Sequence, residues 1–482
     1  MALTTGTVAR YAVGSVGTGG FATLPGLVLV FYLTDTLGVA AAVAGLLVTG
    51  AKVWDVVVDP VIGAASDRER ATTGRRRRLM TVGGLALPVF FTLTFAVPPA
   101  LSPAGAAAWV LVAFLLAATA FSLFQVPYIA LPAEIAGTYD ARTRLLTARV
   151  VVLTAAILLF GGGGPALREL GGDDERLGYL LMAVVASLVL GAALLVATTA
   201  DRSPGGPPPR PAVAPEDRTP PARRLLAHYR RAAALLRTSV PFRTLLTAFV
   251  LQALATGVML AAAQYVATWV LHSTPAVTFL FAALVGPALV VAPLWGRLAR
   301  RVGKERAFAA ASVLFVAAAA LLVPLVWAPG SWVYLPVGLA GAAYAGMQSL
   351  PMAMLPDVVA HDARRHGVDR AGAFGGAWTA GETTGLALGT TVLTAVLAAT
   401  GYVESSGAEA VTQPTTAVAG IVVAFSLLPA ALVAASLLAL RRYPLRRSDI
   451  DDATADRPAR HPGSGPAAPP RPTPPDRPQE IP

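Results

Sequence analysis

A chain of 482 residues that is 55% hydrophobic and only 13% charged lies outside the range of soluble domains and implies a polytopic membrane protein. Its formal net charge is +11, but the arginines cluster in loops between apolar runs, so orientation in a lipid bilayer explains the basicity and no nucleic-acid partner is expected. The absence of cysteine excludes disulfides and thiolate metal sites, and no Walker loop, zinc spacing or Ser-His-Asp arrangement occurs, so no cofactor, no metal site and no enzymatic chemistry are expected.

The opening MALTTGTVARYAVG lacks the short apolar core and cleavage site of a secretory signal, so the first apolar run is expected to remain as a helix. Runs of about 20 apolar residues suffice to cross the hydrocarbon layer. They fall near 11–34, 40–64, 79–98, 105–131, 148–166 and 178–199, then near 243–270, 276–298, 307–328, 333–355, 373–399 and 416–440. The fold expected is an all-α integral membrane protein with about twelve transmembrane helices in two six-helix halves.

The halves cover 1–200 and 242–441. Between them, 201–241 is a Pro- and Arg-rich linker that could end in a basic surface helix over 225–236, and 442–482 reads as a disordered tail. Basic residues follow the even-numbered runs, among them Arg75 to Arg78, Arg230, Arg231, Arg300 and Arg301. The positive-inside rule then puts both termini, linker and tail in the cytoplasm and the protein in the cell (inner) membrane. A repeat supports the halving: DPVIGAASDR after the second run is echoed by APLWGRLARRVGK after the eighth, and LPAEIAGTYDAR after the fourth by LPDVVAHDAR after the tenth.

The second run carries two acids, Asp55 and Asp59. A carboxylate at mid-bilayer costs about 2.5–3.5 kcal/mol on insertion scales, so two on one segment require a function or partners. Residues three and four apart share a helix face, which aligns Lys52, Asp55 and Asp59 in one stripe. Such a stripe suits uptake and release of H⁺ or Na⁺; the alternative is that the acids only pair with Lys52 or with a basic residue of a neighbouring helix and lock the bundle.

Ser122 and Gln125 share a face of the fourth run, and Arg149 opens the fifth, where it either snorkels to the surface or turns toward the acids of the second run. In the second half Gln252, Gln264, Gln348, Trp378 and Glu382 are the polar candidates. Trp378 and Glu382, four apart, set an aromatic and a carboxylate on one side of a helix, a pairing suited to polar-apolar solutes or to ordinary helix contacts. Gly161 to Gly164 lack a following Lys-Ser/Thr and are no nucleotide loop.

Several segments resemble the glycoside-pentoside-hexuronide:cation symporters, the melibiose-carrier relatives within the major facilitator superfamily: FYLTDTLG from Phe31, KVWDVVVDPVIGAASDR from Lys52, VPYIALPAEI from Val126, DARTRLLTAR to Arg149, LPDVVAHD from Leu355 and GAWTAGETTG from Gly376. The resemblance implies the major facilitator fold and a coupling-cation site at Asp55, Asp59 and Ser122. It implies a solute site drawn from Thr18, Lys52, Gln125, Tyr128, Arg149, Gln348, Trp378, Glu382 and Thr383, and a cytoplasmic gate at Asp67, Arg68, Asp140, Arg142, Arg144 and Asp362. The sugar side departs from the melibiose-carrier pattern. Thr18 and Gly19 replace its Lys-Asp pair, Gln125 its second acid and Thr383 its lysine, while Val58 replaces an oxygen ligand of the cation site and so favours H⁺ over Na⁺. The expected function is H⁺- or Na⁺-coupled symport of a small organic solute, such as a glycoside or related metabolite, by a monomer. The alternatives are a proton-driven exporter of an amphipathic metabolite and a non-transporting scaffold on anionic lipid.

Overall fold

A bilayer offers the backbone no hydrogen-bond partner, so each apolar run must satisfy its own N–H and C=O groups, and a helix does so within one segment. The computed structural model describes residues 4–136, 139–201, 236–273, 275–366, 371–405 and 411–445. The first six long helices are α1 (Thr5–Phe31), α2 (Ala41–Thr73), α3 (Arg77–Phe95), α4 (Pro103–Ile135), α5 (Tyr139–Arg168) and α6 (Glu175–Thr198). After them come α7 (Val240–Tyr265), α8 (Ala276–Val302), α9 (Lys304–Ala320), α10 (Tyr334–His366), α11 (Ala371–Ala399), α12 (Thr415–Phe425) and α13 (Leu427–Arg441), the last two forming one span interrupted at Ser426. Eleven described spans are long and apolar enough to cross a membrane. The remaining long helix, α10, is diluted by Gln348, Ser349 and Asp357. The proposed linker and tail, with the surface helix over 225–236, fall almost wholly outside the described residues.

Side-chain caps start several helices: Thr4, Ser102 and Asp174 accept from the N–H three residues on, replacing an orphaned helix bond. α2 runs two turns beyond its apolar stretch because DRERATT is helix-compatible, and it stops at Gly74, whose φ of 72° is a left-handed cap that glycine adopts without strain. The repeated motifs land on equivalent helices, with Pro60 and Pro293 inside α2 and α8, and Pro132 and Pro356 inside α4 and α10.

Within the first half α1 packs on α5 and α6, and α3 on α4 and α6; within the second, α7 packs on α11 and α13, and α10 on α8 and α9. The halves meet through α2 with α11, α5 with α8, and α1 with α7. These contacts gather toward the end where α1 passes into α2. There the Thr49 and Thr391 hydroxyls are paired, the Thr278 hydroxyl donates to the Gly162 carbonyl at 3.0 Å, and the Ala41 N–H donates to Glu404 Oε1 at 3.0 Å. At the opposite end, where α2 passes into α3, no comparable contact joins α4 or α5 to α10 or α11 among the described residues. The molecule is therefore sealed at its α1–α2 end.

Candidate functional site

The α2 stripe forms as its spacing requires, and the structure distinguishes its two acids. Lys52 Nζ lies 3.2 Å from Asp55 Oδ2, a pair with side chains 36% and 21% exposed. Asp59 has no such partner: its Oδ1 is buried without a hydrogen bond among the described residues. The buried Ser122 hydroxyl of α4 lies within interaction range of the Asp59 carboxylate but does not reach its Oδ1. α4 is held against α2 here by the Trp54 indole, which donates to Thr119 Oγ1 at 2.9 Å. Asp59 thus has acceptor capacity left over, the property a proton or small-cation site needs.

Beside the stripe, α1, α4 and α5 build a second polar cluster. Thr18 Oγ1 donates to Gln125 Oε1 at 2.8 Å, joining two positions expected to bind solute. With its oxygen so engaged, the Gln125 amide keeps its N–H donors for a third group. Arg149 turns inward, not to the surface: its guanidinium lies over the Tyr128 ring, 5.5 Å from the centroid. Tyr128, expected to face solute, is instead fully buried. It stacks on Tyr11 at 4.6 Å, donates to the Tyr11 carbonyl at 2.8 Å and pairs with Ser15 Oγ at 3.0 Å, so it supports Arg149 from beneath.

At Gly19 the backbone of α1 lies close against α5. A Cβ there would come within 2.9 Å of both the Leu153 carbonyl oxygen and the Ala156 methyl group. The sugar-gripping acid of the melibiose-carrier pattern is therefore sterically incompatible with this helix pair. Gly161, in the glycine run, performs a related service by receiving the ring of Phe281 from α8.

In the second half the indole face of Trp378 is not presented to solute. It stacks on Phe249 of α7 at 4.2 Å and is 2% exposed, because α7 and α11 are tightly packed. Only its edge is unsatisfied, with Nε1 buried and unpartnered among the described residues. Glu382, one turn on, and Thr383 are half-buried, and Glu382 makes no hydrogen bond among the described residues. Tyr344 lies within electrostatic reach of Glu382, and Gln348 Nε2 donates to the Tyr344 hydroxyl at 2.9 Å. Gln252 is excluded from this group: it is buried in the bundle, where its Nε2 donates to Ser312 and Ser436 at 2.9 Å each and ties α7 to α9 and α13.

Four of the six expected gate residues have described side chains. Asp67 pairs with Arg76 at 2.7 Å within the α2–α3 connection, Arg68 is exposed, and Arg144 donates to Thr5 Oγ1 at 3.0 Å. Asp362 is buried, and the neighbouring ion pair, Lys304 with Asp357 at 2.5 Å, stays inside the second half. The side chains of Asp140 and Arg142 lie outside the described residues. Sequence reasoning missed Tyr11 and Tyr344, which support Arg149 and Gln348. It also passed over Asp35, although a lone acid at the tip of an apolar run is itself a signal.

A family model described as MFS/sugar transport protein matches residues 10–447. Among curated relatives, an uncharacterized symporter of Synechocystis sp. is 35% identical over 144 residues, 29% of this chain and 26% of the relative. A glucuronide carrier protein homolog of Escherichia coli is 27% identical over 143 residues, 30% of this chain and 31% of the relative. The matched stretch thus spans about a quarter to a third of these relatives. A crystal structure of a D-xylose-proton symporter superposes with a TM-score of 0.62 at 13% identity, covering 91% of this chain and 98% of that one, which establishes a shared fold.

Proposed function

This multi-pass membrane protein belongs to the MFS/sugar transport protein family, and we propose that it is a secondary transporter coupling movement of H⁺ or Na⁺ to symport of a small organic solute. The observation that carries the reading is the buried, unpartnered oxygen of Asp59 beside the Lys52–Asp55 pair. An unpaired carboxylate at membrane depth is costly, and a bound cation removes that cost, so the loaded and empty states differ in the energy of switching. Val58, with no oxygen to offer, favours H⁺.

The solute would lie between the halves, within reach of the Gln125 amide, Arg149, the Trp378 Nε1 edge and Glu382. Three of these four offer donors, which suits a solute rich in acceptor oxygens, a glycoside or related metabolite, more than one gripped by paired carboxylates. The arginines at the α2–α3 end orient that end to the cytoplasm of an inner membrane, with both termini on the same side. The seal at the α1–α2 end then makes this conformation inward-facing, and Asp67, Arg68, Arg144 and Asp362 would re-pair across the halves when the inner end closes, with Asp140 and Arg142 as further gate members. We take the working unit to be a monomer.

Uptake of labelled glycosides into cells making the protein, with imposed H⁺ or Na⁺ gradients, tests the reading. Gradient-driven accumulation that Asp59→Asn abolishes supports it and identifies the cation. Accumulation of an amphipathic compound by inverted vesicles instead would favour the exporter.

A further inference from the structure

The tip of α1 holds a buried acid that the cation and solute sites do not use. Asp35 is 4% exposed and lies in a π-helical turn, Tyr32–Thr36, that extends α1. Its Oδ2 accepts from Thr34 Oγ1 at 2.5 Å. Its Oδ1 accepts from two donors of the other half, Trp269 Nε1 at 3.1 Å and the Tyr402 hydroxyl at 2.5 Å. The adjoining Thr34 is bound in the same way: its hydroxyl pairs with that of Tyr265 at 2.7 Å, and its carbonyl accepts from the Ser405 N–H at 3.0 Å. Trp269 itself lies in a matching π-helical turn, Val266–Val270, at the tip of α7, the equivalent first helix of the second half. Such turns are rare and concentrate at functional positions.

Two of the three donors that compensate Asp35 belong to the half that must move away if the α1–α2 end opens. A carboxylate is a poor choice for permanent adhesion, since apolar packing achieves that at less desolvation cost. It suits a contact that is strong when closed and, once open, is solvated by water. We propose that Asp35 is the latch that holds the α1–α2 end shut, a positioning residue of the transport cycle and not a ligand of cation or solute. This rests on the transporter reading above.

Because the chain contains no cysteine, pairs of spin labels can be introduced without removing native thiols. One pair, Ala100→Cys with Ala328→Cys, uses exposed positions of the two halves at the α1–α2 end; the other, Thr72→Cys with Arg365→Cys, uses exposed positions at the α2–α3 end. In purified protein, Asp35→Asn is expected to raise the open-to-closed ratio at the α1–α2 end about tenfold, the equivalent of about 1.4 kcal/mol. The first distance then lengthens while the second shortens, a reciprocal change that loosened packing would not give. Tyr402→Phe and Trp269→Phe leave Asp35 in place and should shift both distances in the same sense; combining Asp35→Asn with Tyr402→Phe should add less than the sum. Should Asp35→Asn fail to fold, the two single-donor variants decide by the same criterion. Unchanged distances, or both pairs broadening together, would overturn the latch. The distances need neither solute nor gradient: transport with unchanged distances removes the latch alone, and a reciprocal shift in a protein that moves no solute removes the transporter reading alone.

Discussion

Asp59→Asn and Asp55→Asn should have opposite effects on stability. The Asn side chain keeps the shape of Asp59 and removes its charge. Because Oδ1 is buried without a donor, the ionised wild type carries an unsatisfied acceptor whose cost is about 1–3 kcal/mol, and more when charged. The amide of Asn still carries an acceptor and adds N–H donors, so Asp59→Asn relieves only the charge and is expected to stabilise the cation-free protein by the lower part of that range, about 1 kcal/mol. Asp55 is paired with Lys52 at 3.2 Å, but solvent reaches both side chains, so the pair contributes about 0.2–1 kcal/mol, and Asp55→Asn should lose that amount. The check is thermal unfolding of the purified variants at one pH without Na⁺, paired with solute counterflow in proteoliposomes. Asp59→Asn should melt higher, lose gradient-driven accumulation and keep exchange, because a neutral side chain imitates the loaded state. If the two variants are equally destabilised, or Asp59→Asn still accumulates solute against a gradient, the division of labour argued from the unpartnered oxygen is wrong.

Thr18→Val removes an internal hydrogen bond of about 0.5–1.5 kcal/mol and frees the Gln125 amide to rotate; it should weaken solute binding about 2- to 10-fold, measured as KM for uptake, and lower the melting temperature slightly. Gly19→Asp places atoms against the Leu153 carbonyl and Ala156, so it should destabilise the bundle by about 1–3 kcal/mol and confer no galactoside uptake, which a thermal melt and a galactoside panel would check. Gln252→Leu removes two interhelical bonds of about 0.6 kcal/mol each, lowering stability while leaving solute KM untouched; a changed KM would place Gln252 at the solute after all.

What could be read from the sequence was what a single helix dictates. The Lys52–Asp55–Asp59 stripe depends only on helical spacing, and the spans depend only on length and hydropathy. Contacts between helices were less legible. The spacing of Trp378 and Glu382 was right, yet nothing in it announces Phe249, whose ring takes the indole face. Tyr128 is assigned to the solute by resemblance; its role under Arg149 depends on Tyr11 and Ser15, more than a hundred residues away. Gln252 and Gln125 are the same residue type at comparable depth, and only the serines of α9 and α13 or the threonine of α1 decide that one commits its amide donors to the bundle and the other its amide oxygen.

The same helix that presents the acids also reaches the seal. α2 begins at Ala41, whose N–H is held by Glu404 of the opposite half, and carries Asp59 eighteen residues further on, about 27 Å along a straight helix. Gly45 and Thr49, in its first turns, abut Thr394 and Thr391 of α11. An α-helix transmits a tilt with little loss, so neutralising Asp59 at one end and loosening the seam at the other are motions of one body. On this argument, a Pro60→Ala variant, which restores the backbone N–H that proline lacks just past Asp59, should leave the Lys52–Asp55 pair intact and keep the two ends switching together. The check is the spin-label distances at both ends across a pH or Na⁺ titration. A midpoint at the α1–α2 end that follows the α2–α3 end in wild type and in Pro60→Ala alike would show that the helix bends nowhere that matters, while midpoints already separate in wild type would refute the rigid-lever account.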